Sequence, residues 1–355
     1  MRVPHYAKRS LAALALTALV AGCGGDSTAP DAPFDPAGTS SDIDAMQASF
    51  DSPAMAGYVA ASGAISGTLG TSAAAAAVRA VPTKALIAGG KPAAGHYAAT
   101  VAKAYVRPSG GIRPSLSTAA IPAEYLGVTF TYNADTDQYE PSDLTGAPEN
   151  GVRFMVYAVN PISGVPIEPL VEVGYADIVT TETASSATVR VELVSAGVTF
   201  LDYAVGVTGS ATELTVTVSG FVSNGDDQVN FDLDNHLTST SVGVDYNLTV
   251  PTRGGFRIDF EGAATEGTVT STLEARGPHG TVTISGTQTS TSGTFEVQVN
   301  GELFATITTS ESQPPVITGA DGEPLSEAEL EALQAVYAVF LEGFDFFEDL
   351  LDPLG

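Results

Sequence analysis

A mainly β fold is predicted for residues 124–355: a large antiparallel meander sheet, curved or partly closed, with short helices before it and a C-terminal amphipathic helix covering its apolar face. Three observations lead there. Apolar residues alternate with polar ones in run after run, turn signals separate the runs, and the runs recur too closely to leave room for crossover helices.

Taken in order, the chain begins with Arg2, Lys8 and Arg9 ahead of an apolar stretch from Leu11 to Ala21. Residues 1–22 therefore read as an export signal, too short to span a bilayer as a mature helix. Residues 23–40, rich in Pro, Gly, Ser, Thr and Asp, read as a flexible tether. Within 41–123, Ile43, Met46 and Phe50 fall at helical spacing over Ser41–Phe50, and Ser52-Pro53 caps and begins a second helix running toward Ser62, before Gly63. From 63 to 123 the chain is a low-complexity connection of Ala, Gly, Ser and Pro.

The strands follow. Val189, Val191 and Leu193 alternate with polar neighbours, as do Leu214, Val216 and Val218, and Val229, Phe231 and Leu233. The longest set is Val242, Val244, Tyr246, Leu248 and Val250. Phe256, Ile258 and Phe260 come next, then Val282 and Ile284, Phe295, Val297 and Val299, and Leu303 and Ile307. Ala196-Gly197, Asn224-Gly225, Gly254-Gly255, Ser292-Gly293 and Asn300-Gly301 mark turns. Ser326 with Glu329 forms a capping box, and Leu333, Tyr337, Phe340, Phe344, Phe347 and Leu351 then make one stripe on a helix over 326–351. A sheet with one apolar face needs a cover, and this stripe is the candidate cover or lid. About twelve strands enclose more space than the roughly eight whose side chains fill a barrel, and helices are the preferred filling over a ligand.

Charge is unevenly spread. The chain holds 14 basic and 41 acidic residues. All six charges in 52–123 are basic (Arg79, Lys84, Lys91, Lys103, Arg107 and Arg113), whereas 124–355 carries five bases and 35 acids. So acidic a surface repels nucleic acid, which is excluded as a partner, and it attracts the basic connection electrostatically.

Groups able to do chemistry are few. His96, His236 and His279 lie in no metal spacing, and no nucleophile elbow, P-loop or dinucleotide fingerprint is present. His279, in Gly277-Pro278-His279-Gly280, reads as an exposed turn residue. Asn133-Ala134-Asp135-Thr136-Asp137 has the alternating oxygens of a calcium loop, but Gln138 and Leu144 occupy the positions that need Gly and Glu, so it reads as a hairpin turn. Glu342, Asp345, Glu348, Asp349 and Asp352, like Asp226, Asp227, Asp232 and Asp234, read as solvated acids. The expectation is a protein that is not an enzyme and uses no cofactor or metal.

The chain has one cysteine, Cys23, directly after the apolar run. Leu19-Val20-Ala21-Gly22-Cys23 resembles the lipobox of bacterial lipoproteins. The resemblance implies that Cys23 becomes the first mature residue and carries acyl chains, so the membrane is a partner through that anchor. Gly24, rather than Asp, after the cysteine is similar to lipoproteins sorted to the outer membrane. The expected function is a lipid-anchored envelope protein with a structural or protein-binding role. The alternative is a carrier or sensor of a hydrophobic, lipid-like molecule in a curved β-sheet cavity, similar in architecture to periplasmic lipoprotein carriers, with no motif matched. An outer-membrane barrel is disfavoured, because the polar face is too charged to line hydrocarbon.

Overall fold

A computed structural model of the chain describes residues 36–50, 52–69, 121–183, 186–210, 213–238, 240–265, 267–289, 291–310 and 313–326. Two helices, α1 (Pro36–Ala48) and α2 (Pro53–Leu69), precede a single 15-stranded sheet. Its strands are β1 (Thr129–Asn133), β2 (Gln138–Ser142), β3 (Gly151–Tyr157), β4 (Glu172–Glu182), β5 (Ser186–Ser195), β6 (Val198–Gly209), β7 (Glu213–Ser223), β8 (Gln228–Thr238), β9 (Ser241–Val250), β10 (Phe256–Thr265), β11 (Thr268–Gly277), β12 (Gly280–Thr289), β13 (Ser292–Val299), β14 (Glu302–Ser310) and β15 (Gln313–Gly319).

From β3 to β15 each strand pairs antiparallel with the next, as the alternation and turn spacing predict. The predicted inner face is buried: Val242, Val244, Tyr246, Leu248 and Val250 of β9 are each at most 3% exposed, and their partners on β8 and β10 match them. Leu303 departs from expectation. It is exposed at the start of β14, where the β13–β14 register slips beside Val297 and Gln298, so parity with Ile307 does not carry back to it.

The meander breaks at its beginning. β1 lies between β2 and β3 and runs parallel to β3, which makes the sheet mixed. Pro141 in β2 supplies no N–H, which suits β2 to an edge. At the far edge β15 carries Pro314 and Pro315. The sheet does not close, and prolines in both outer strands remove donors that closure would use.

Both N-terminal helices exist, with different limits from those predicted. α1 starts at Pro36, inside the expected tether, and α2 continues through Gly63 to Leu69. Ser52 caps α2 as expected, its Oγ accepting from Met55 N at 3.1 Å. α2 then packs across β2–β6, with Met55, Tyr58 and Ile65 buried. Gly57 allows this contact, since a Cβ there would stand 2.6 Å from Tyr157 O. The predicted C-terminal helix and its stripe, Leu333 to Leu351, lie outside the described residues, as do Cys23 and the six basic residues of the connection.

Candidate functional site

The hairpin connectivity gives the sheet two ends. At one end lie the turns at 134–137, 196–197, 224–227, 251–255, 278–279 and 300–301 and the β3–β4 connection. α1 is laid across this end. Near its start, Gly38 faces the His279 ring so closely that a Cβ would fall 2.3 Å from Nδ1. One turn on, Asp42, only 4% exposed, places Oδ2 3.8 Å from His279 Nε2. At the C-terminus of α1, Ala48 O accepts from Asn224 Nδ2 at 3.0 Å. His279 is thus no free turn residue but a contact for the helix. The turn signal Pro278-His279-Gly280 could not reveal this, since its partner is more than 230 positions away.

Asp227 also does more than face solvent. Its carboxylate accepts from Thr252 Oγ1 at 2.6 Å and Arg253 Nη2 at 3.2 Å, and these contacts hold it below the ordinary carboxylate range. Asp42 is shifted the other way. Burial raises it above its ordinary value of 3.8, with His279 and Arg253 offsetting only part of the rise. A carboxyl raised on folding stabilises the fold below its unfolded value, and that stability is lost as pH rises through the folded value. Asp42→Asn is therefore expected to raise the unfolding midpoint near pH 7, with the gain vanishing toward about pH 3. Melting curves at the two pH values check this, and equal gains at both would contradict it.

Inside the sheet, Tyr58 OH of α2 meets Tyr203 OH of β6 at 3.5 Å, and burial pushes both phenols well up. Deeper along the apolar face sits Asn235 of β8, wholly buried, in register with Val216 and Val244. Neither Oδ1 nor Nδ2 has a hydrogen-bond partner. An amide so placed costs about 1–3 kcal/mol for each unmet group. The alternation that predicts this face does not single out Asn235, because a polar residue at a buried position looks like a phase error.

The outer face of β8–β11 is acidic. Asp234 opposes Asp245, and Asp245 opposes Glu261. Burial, then neighbouring carboxylates, raise Asp232 and Asp245 above their ordinary range. On the next row Asp259 and Glu274 face each other and are met by Arg257 and Arg276. These rows border a hollow of about 340 Å³. Among the described residues no group of three or more His, Cys, Asp or Glu is arranged to hold a metal ion.

The first end of the sheet has a second feature, the β3–β4 connection at 158–171. Asn160 and Pro161 open it, and Ser163-Gly164 turns it. Asn160 N donates to Val165 O at 2.9 Å, Gly164 N to Asn160 O at 2.8 Å and Ile167 N to Ala158 O at 2.9 Å. Asn160 Oδ1 accepts from Ile162 N and Ser163 N. The result is a self-bonded finger with Ile162 at its tip, 86% exposed.

Comparison with family models, curated proteins and solved structures finds no match for the chain.

Proposed function

We propose that this chain is an exported envelope protein, acylated at Cys23 and held to the outer membrane, with a structural or protein-binding role and no catalytic one. The observation that carries the reading is the single cysteine placed directly after Leu19-Val20-Ala21-Gly22, behind a basic head and an apolar run. Each buried methylene contributes about 0.8 kcal/mol, so two or three acyl chains would anchor the protein firmly. The charged outer face supports a domain standing in water, since rows such as Asp234, Asp245 and Glu261 are unsuited to hydrocarbon. The test is mass spectrometry of the N-terminal peptide from the membrane fraction. The expected peptide begins at Cys23 and carries acyl chains, whereas a peptide retaining residues before Cys23, or an unmodified thiol, would overturn the reading.

A second reading is favoured by Asn235. An unmet amide inside an apolar face suits a hydrophobic molecule bearing one group that both donates and accepts hydrogen bonds. In this carrier reading the segment 326–351 is a lid, with Tyr337, Phe340, Phe344 and Phe347 facing the sheet. Structural cover and lid differ in their response to Phe344→Ala. A cover is expected to lose about 3–5 kcal/mol of stability, and a lid to lose retained ligand instead. Denaturation together with native mass spectrometry of the protein purified from its host separates them. A variant that matches the parent in both measurements would exclude both roles for the segment.

A further inference from the structure

Nine large hydrophobic side chains are exposed among the described residues, and their distribution is uneven. Six of them, Ile162, Val165, Ile167, Val171, Val198 and Leu303, lie at the end of the sheet crossed by α1. Four of these six belong to the β3–β4 connection, whose fourteen residues include one charge, Glu168. An ordered finger that holds Ile162 and Val165 in water is unfavourable unless something covers them.

The chain before the sheet points to what covers them. α1 begins at Pro36, two residues before the Gly38 that faces His279, at this same end. Only twelve residues lie between Cys23 and Pro36, thirteen Cα–Cα steps in all. Even fully extended, they reach no further than about 45 Å. As a random coil a chain of that length spans about 20 Å on average, less than the ~35 Å of the long strands, so an acyl anchor at Cys23 would hold this end nearer the bilayer than the opposite one. A tether of that length also makes the contact intramolecular, so a weak interfacial affinity is enough to hold it.

We propose that the finger at 158–171 docks on the lipid surface, with Ile162 and Val165 in the interfacial layer, so that the sheet stands with its α1 end toward the membrane. This inference rests on the lipid-anchor reading. The finger's own hydrogen bonds meet many of its backbone groups, as insertion into a poorly hydrated layer requires. Its surroundings define the lipid. Asp135, Asp137, Glu168, Glu172 and Asp226 lie at the same end, so an anionic surface repels it and a zwitterionic one is favoured.

The test uses the full acylated chain in phosphatidylcholine–phosphatidylethanolamine vesicles. A thiol introduced as Ile162→Cys, with Cys23 blocked by its acyl chains, carries a polarity-sensitive fluorophore, and Leu144→Cys provides the matched site at the opposite end. The Ile162 label is expected to shift to the blue and to lose most of its emission to lipids nitroxide-labelled near the headgroup, while the Leu144 label stays as in water. Adding phosphatidylglycerol is expected to reduce the shift. If the chain floats with the vesicles but the Ile162 label behaves as in water, the docking is wrong and the anchor stands. A chain that does not float overturns the anchor reading and this inference with it.

Discussion

Replacing Phe154 with alanine is expected to remove about 3–5 kcal/mol of stability, the range for a fully buried phenylalanine. Phe154 is wholly buried at the centre of β3, where the sheet is least regular. Its ring stacks on Phe130 of the parallel neighbour β1, with centroids 4.9 Å apart and planes 16° from parallel. Tyr139 of the edge strand β2 meets it edge-on at 5.1 Å, and Tyr125 meets Phe130 edge-on at 5.2 Å. Such pairs add about 0.5–1.5 kcal/mol beyond area burial. The cluster thus joins three strands whose backbone pairing is short, since β1 and β3 share only two registered pairs. Phe154→Ala should lower the urea midpoint and detach the β1–β2 hairpin, whose amides should then exchange first. An unchanged midpoint would mean that the hairpin is held by its backbone ladder alone.

Cys23→Ala is expected to have the largest effect on the protein's place in the cell. Without a thiol there is nothing to acylate, so the chain should accumulate as unprocessed precursor or leave the membrane fraction altogether. The comparison is fractionation of parent and variant, with N-terminal mass determination on each. A variant cleaved like the parent and still membrane-bound would rule out the lipobox, and would leave the signal as an ordinary secretory one.

Strands with one buried face were legible because their signal is local and periodic. Val229, Phe231 and Leu233, or Phe256, Ile258 and Phe260, name their own face, and turns such as Asn224-Gly225 and Asn300-Gly301 name the ends. The reading of Cys23 rests on the same kind of signal, a context of a few adjacent residues, but it lies outside the described residues and stands as a proposal. The finger at 158–171 was not legible. Val159, Ile162, Val165 and Ile167 have the composition of a strand, and only the pairing of β3 with β4 shows that they project beyond the sheet.

The sequence by itself determined that the protein is mainly β, that its strands from β3 onward follow one another as hairpins, and most of the side chains of the buried face, Leu303 and Asn235 being exceptions. These properties depend on neighbours two residues apart and on turns of a few residues. The tertiary structure alone decided that β1 runs parallel to β3, that α1 crosses one end to bring Asp42 to His279, and that Asn235 stands between Val216 and Val244 with its amide unmet. Each depends on groups far apart in the chain and on competition for the same hydrogen-bond donors and buried space. Pro141 makes the point: its missing N–H is visible in the sequence, but its consequence, an edge strand, follows only once β1 has taken the place beside β3.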